Sequence, residues 1–207
     1  MQASRGISIV VALGLAVVGA AAGCSSTGAS QTPAPAQSSA TDLPANHRWV
    51  EVPTQDVSVA VPQTWIGYSS QDTPENLAIA AKGLGITVEE LKSRLPAETL
   101  LQVRAPSPDP SNLNATVIDL DSVPSGAEIT SQLESAGAQD VAVRSVRTAV
   151  GEAVLATYRQ QVTAGTLYGA GLFIDTGDSL LNLTVTSPDR ATVTSRTDVL
   201  TTSVHRS

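Results

Sequence analysis

Cys24, His47, His205 and the run Leu172-Phe173-Ile174-Asp175-Thr176-Gly177 are the places in this sequence where residue type and spacing point to chemistry. In the last of these, an apolar strand delivers a carboxylate into a tight turn. Such a carboxylate becomes a peptidase acid when it shares a proton with a second one across a two-fold axis. The sequence holds one copy, so that chemistry needs a dimer, and Asp178 adds a negative charge that opposes ionisation of the pair. Asp175-Thr176-Gly177-Asp178 is equally turn chemistry between two strands, and this is the expected role. A dimeric aspartic-peptidase-like enzyme using Asp175 stands as the alternative.

The other groups form no catalytic set. His47 and His205 sit at the two ends of the folded part, where both are expected to be solvated. No Gly-x-Ser-x-Gly elbow occurs, and no cysteine lies beyond Cys24 to act as a thiol nucleophile. Gly83-x-Gly85 and Gly169-x-Gly171 are incomplete as phosphate loops, and the second lies within a strand, where glycine marks a bulge or a close backbone approach. Asp119 and Asp121 could share a cation but lack further oxygen ligands. The expectation is a non-enzymatic protein with no metal and no cofactor.

Cys24 carries the strongest signal. Arg5 precedes an apolar run from Ile7 to Ala22, which ends Ala21-Ala22-Gly23-Cys24. Small residues before the cysteine suit a signal peptidase, and the thiol is placed to receive a diacylglyceryl group. Residues 1–23 therefore read as a lipoprotein signal peptide, too short and too poorly flanked for a membrane span. Residues 24–46 are mostly Ser, Thr, Ala, Pro, Gln and Gly with almost no large apolar residue, a composition that cannot bury enough surface to offset the entropy of ordering. They read as a disordered tether with an r.m.s. reach of about 26 Å. The expected location is the extracytoplasmic face of the cell membrane, held by the lipid anchor. Removal of Arg5 leaves 11 basic residues against 19 acidic ones, and that acidity argues against nucleic acid as a partner.

The elements that would position any site lie in residues 47–207, the size of one domain. Val57, Val59 and Val61 alternate with polar or small residues as in a half-buried strand, paired with an Arg48–Val52 strand and stopped by Pro62. Leu77, Ala80, Ala81 and Leu84 form one helical face. Thr87 with Glu90, and Ser125 with Glu128, have capping-box spacing and open two further helices. Leu100–Arg104 and Ala115–Leu120 read as strands around a Pro/Asp/Ser/Asn loop. Residues 141–150, 153–162, 166–174 and 179–186 read as four strands whose short links force antiparallel hairpins. Ser187-Pro188-Asp189 opens a last helix, with Ser187 as cap and Val193, Thr197, Leu200 and Val204 on its buried side.

This order predicts an α+β fold, an antiparallel sheet covered by helices on both faces. Trp49 on the first strand, the run Val57-Ser58-Val59-Ala60-Val61-Pro62 leading to Trp65, and a terminal meander plus helix behind the Cys24 motif resemble the actinobacterial LpqN-type lipoproteins. That resemblance implies a PsbP-like α/β/α sandwich and a role in binding an envelope lipid or glycolipid, or an envelope protein partner. Trp49, Trp65, Tyr68 and Tyr168 are the expected amphipathic contacts for such a ligand. Each pairs a large contact face with a polar tip, and burial in the core is the competing expectation for all four.

Overall fold

The computed structural model describes residues 43–207 apart from 97 and 121. Cys24, the expected signal peptide, nearly all of the tether and Asp121 lie outside the described residues. β1 (His47–Val52) and β2 (Val57–Pro62) form the opening hairpin, in register from Val52↔Val57 to His47↔Pro62. The residues after the last helix close the second edge of β2 as β10 (His205–Arg206), giving a three-stranded sheet. β2 was expected to be half-buried and is buried throughout. The sequence pattern could not show this, because the covering residues come from the far end of the chain: Ser58 Oγ meets Ser207 Oγ at 2.7 Å, and Ala60 N–H donates to Ser203 Oγ at 3.3 Å.

The larger sheet contains β3 (Ile66–Tyr68), β4 (Thr99–Arg104), β5 (Asn112–Ile118), β6 (Ala138–Arg147), β7 (Glu152–Val162), β8 (Gly165–Asp175) and β9 (Leu180–Ser187). Its order is β3-β4-β5-β9-β8-β7-β6, and every pairing is antiparallel. β6 to β9 are the expected meander. Because β5 pairs with β9, the chain between β5 and β6 must cross four strand spacings, roughly 19 Å. α3 (Gly126–Ser135) makes that crossing and lies against β6 and β7.

Alternation sorts the strands' side chains between two cores. Ala170, Leu172 and Ile174 of β8 join Leu155, Leu183, Val57, Val59 and Val61 in the main cluster, with Val193, Leu200 and Val204 from the end of the chain. Phe173 points the other way, to Ile129 and Leu133 of α3. A third cluster joins Tyr68 to α1 (Pro74–Leu84) and α2 (Val88–Ser93). The protein is thus α+β with antiparallel sheets and four helices. It departs from the expected single sheet, since the opening hairpin forms a sheet of its own against the main cluster.

Local boundaries follow recognisable physics. Thr73, Thr87 and Ser125 each accept a backbone N–H of the first helical turn, and only Ser125 completes the box, with Glu128 reaching back to Ser125 N at 2.8 Å. α4 (Arg190–Ser203) starts later than the Ser-Pro-Asp pattern suggests. Its cap is Asp189, whose carboxylate accepts from Ala191 and Thr192 N–H, while Ser187 stays in β9 and its hydroxyl meets Ser111 at 2.9 Å. β5 begins at Asn112, inside the stretch whose composition reads as loop; its asparagines are held by ladder bonds to Thr184 and Thr186.

Gly169 is required by contact. A Cβ there would lie 2.3 Å from Cζ of Tyr158 on the neighbouring strand, and Tyr158 is buried. Gly169→Ala should therefore destabilise the protein by about 1–3 kcal/mol, the usual cost of overpacking. In a Tyr158→Leu background the same change should cost clearly less, as read from paired denaturant titrations. The helix cap gives a pH-dependent expectation. Hydrogen bonds from the Ser125 hydroxyl and backbone hold the Glu128 carboxyl below its ordinary value, so the cap's contribution is present above the unfolded carboxyl's pKa and is lost as pH falls through the folded one. Ser125→Ala should cost about 1 kcal/mol at neutral pH, and this difference should shrink in acid below the ordinary glutamate range.

Candidate functional site

The four expected aromatic contacts do not converge. Trp49 is half-buried and packs edge-on against His205, with ring centroids 4.4 Å apart. Trp65 is buried in the main cluster beneath Arg196, whose guanidinium carbon lies 5.6 Å from the ring centroid. Tyr68 is buried and donates its hydroxyl to Gln102 Oε1; burial pushes its pKa up against the opposing pull of Arg104. Tyr168 alone of the four lines a groove. The histidines also differ from expectation: His205 is half-buried against Trp49, and His47 Nε2 lies 3.2 Å from Arg196 Nη1.

The groove has a volume of about 380 Å³ and runs between α4 and the β6–β8 end of the large sheet. It follows from unequal lengths. β7 and β8, at 11 residues each, extend roughly 36 Å, whereas the 14 residues of α4 cover about 21 Å. β7 and β8 also stay paired to Val162↔Gly165, past the last β8–β9 pair, Tyr168↔Ser187. Leu155, Thr157 and Arg159 alternate onto the groove side of β7, Tyr168 faces it from β8, Arg144 from β6, and Arg190, Val193, Thr194, Thr197 and Asp198 close it from α4.

A bulge shapes the rim. The β6–β7 register slips between Gln139 and Ala142, and Asp140 adopts φ 52°, a conformation that favours glycine. The Asp140 carboxylate pairs with Arg159, fixing one of the groove's three arginines. Arg144 and Arg190 make no ion pair or side-chain hydrogen bond among the described residues, and neither do the hydroxyls of Thr157 and Tyr168. The wall hydroxyls of Thr194 and Thr197 are already committed to the carbonyls of Arg190 and Val193. Beneath lie the apolar Leu155 and Val193. This arrangement can hold a small polar ligand by directed donors over an aliphatic floor.

Asp175 belongs elsewhere. It ends β8, is exposed, and accepts Gly177 N–H at 2.7 Å, as a turn residue does. Gly177 has φ 89° and Thr176 bonds back to Ser179, so the Asp-Thr-Gly-Asp run serves hairpin geometry in this chain. Among the described residues, no group of three or more His, Cys, Asp or Glu could hold a metal ion, and no helix is long and apolar enough to cross a membrane.

No protein-family model matches the chain, and no curated protein does. Among solved structures, the chain is similar to cyanobacterial PsbP (CyanoP) from Synechocystis sp. PCC 6803, with a TM-score of 0.51 at 12% identity over 79% of this chain and 94% of that one. The fold is PsbP-like. A Pseudomonas aeruginosa protein of unknown function, PA94, matches at TM-score 0.34 and 12% identity over 74% of this chain and 90% of that one. Within the PsbP-like fold the groove residues Arg144, Arg159, Arg190, Asp140 and Asp198 escaped sequence reasoning. The available signal was that two of the chain's arginines fall on the β6–β7 hairpin facing one side and a third opens α4, in a chain otherwise dominated by acids.

Asp175→Asn keeps one acceptor for Gly177 N–H, so it should cost about 1 kcal/mol or less in thermal or denaturant unfolding. A pepstatin-sensitive proteolytic activity lost with this change would reverse the assignment of Asp175 to the turn.

Proposed function

We propose that the chain is a cell-envelope lipoprotein of the LpqN type, anchored through Cys24 at the extracytoplasmic face of the membrane, whose domain binds the polar headgroup of an envelope lipid or glycolipid without catalysing a reaction. We read the helical groups as the outer layers of a PsbP-type α/β/α sandwich. The groove is the observation that supports binding. It offers Tyr168 as an aromatic contact, free hydroxyl and guanidinium donors, and an aliphatic floor of Leu155 and Val193. Arg5, the apolar run and Cys24 support the anchor. Nothing favours the peptidase comparably, because Asp175 caps its own turn.

The test combines location and ligand. Wild-type chain should incorporate a labelled fatty acid and sediment with membranes, and Cys24→Ala should do neither; label retained by the variant would remove the anchor. Envelope lipid headgroups titrated against the full chain should raise its melting temperature. A ligand held by the native state alone, at a hundred times its dissociation constant, adds roughly 2.7 kcal/mol. Tyr168→Ala should weaken that response. No response to any headgroup, together with a reproducible protein partner in pull-downs, would replace ligand binding with scaffolding of envelope proteins.

A further inference from the structure

We infer that the groove between α4 and β6–β8 selects an anionic headgroup, a phosphate ester that carries hydroxyls beside it, with Arg144 and Arg190 receiving the phosphate oxygens. This rests on the proposed ligand-binding reading and gives it a charge and a chemistry. The domain is strongly acidic, yet its groove carries three arginines against two aspartates. One aspartate, Asp140, is consumed by Arg159. What faces a ligand is therefore two guanidiniums, the Tyr168 and Thr157 hydroxyls, and the Asp198 carboxylate.

These groups divide by function. Guanidiniums present paired N–H donors that match phosphate oxygens, and a charge-assisted bond is about twice as strong as a neutral one. Arg144 lies on β6 and Arg190 opens α4, so the two reach the groove from opposite walls and can clasp one group between them. Asp198, an acceptor without a side-chain partner among the described residues, would repel a bare anion but takes hydroxyl donors. A phosphate joined to a polyol satisfies both. A neutral sugar would leave the two cations unused. A simple anion would leave Asp198 opposed.

The shared chemistry is a phosphate ester next to hydroxyls, and it could come from a membrane lipid or from a free phosphorylated polyol. Calorimetric titration of the full chain in detergent with glycerophosphoinositol, inorganic phosphate and free inositol separates the contributions. Vesicles of phosphatidylcholine with and without phosphatidylinositol separate the sources. Glycerophosphoinositol should bind, with an affinity that falls as salt rises, and should outcompete both phosphate and inositol. Arg144→Ala and Arg190→Ala should each weaken it by roughly tenfold to a hundredfold, the range for losing one charge-assisted hydrogen bond. Asp198→Asn should bring inorganic phosphate closer to the ester. Recruitment to phosphatidylinositol vesicles would assign a lipid source, and binding of the soluble ester without recruitment a free one.

If inositol binds as well as the ester, and Tyr168→Ala weakens it while both arginine variants do not, the anionic selection is wrong and the groove still binds a neutral headgroup. If neither phosphate probe binds the folded wild-type chain, the inference is overturned. Matching melting temperatures for the arginine variants and wild type without ligand show that lost binding is not lost folding.

Discussion

The β5–β9 ladder is the constraint from which the rest of the architecture follows. Seven residue pairs, Asn112↔Thr186 through Ile118↔Leu180, join the strands that precede α3 to the meander that follows it. β9 is buried along its whole length and pairs with β8 on its other edge. A strand held on both edges and both faces cannot slip by one residue without moving Leu181, Leu183 and Val185 out of the main cluster. Its position sends β6 to the far edge of the sheet. That in turn makes α3 cross over β7 and leaves the β6–β7 hairpin at the sheet's edge, across the groove from α4.

The same ladder divides the sheet chemically. On the side of the main cluster, β4, β5 and β9 present Leu101, Val103, Leu113, Ala115, Leu183 and Val185. On the opposite side, Gln102, Asn114 and Thr184 lie in one cross-strand row, with Thr116 and Asn182 in the next. All five are buried; Gln102 Oε1 accepts the Tyr68 hydroxyl, and Thr184 Oγ1 donates to Asn182 Oδ1 at 3.2 Å. Asn114, only 3% exposed, has an Oδ1 with no partner. Each unpaired buried amide costs about 1–3 kcal/mol. Aliphatic residues would be the more stabilising choice there, and the two helical groups are consequently separated by a polar seam instead of sharing one core.

This seam explains what the sequence could and could not disclose. Helices α1, α2 and α3 were legible because their caps and apolar faces are local: Thr87 and Ser125 cap α2 and α3 where their spacing puts them, although only Ser125 completes the box. The meander was legible because two- and three-residue links leave no other pairing. β5 was misplaced by three residues because Asn112-Leu113-Asn114 has loop composition, and only Thr184 and Thr186, some seventy residues away, make it a strand. β3, three residues long, and β10, two, carry no periodic signal at all. The groove was illegible for the same reason: its walls are set by the Asp140 bulge and by α4 lying beside β6–β8, both products of tertiary register. Of the four aromatic expectations, Tyr168 reaches the groove because its alternation on β8 faces it toward α4. Trp65, beside the opening hairpin, fills the main cluster, and Tyr68, on β3, fills the cluster under α1 and α2.

The groove and the start of β1 meet on one helix. His47, the first residue of β1, lies against Arg196 of α4, and Arg48 donates to the Trp65 carbonyl at 3.0 Å. Arg196 sits over Trp65, with burial lowering its pKa and the Asp109 charge opposing that shift. The point where the tether would join the domain is therefore clamped to the side of α4, while Arg190, Thr194, Thr197 and Asp198 line the groove from the same helix. Positions 190, 197 and 198 lie four before and three and four after 194, so all four fall on one face. Position 196, about 100° from its neighbours, belongs to another. On the lipoprotein reading, α4 holds the groove at a fixed distance from the chain's exit toward Cys24.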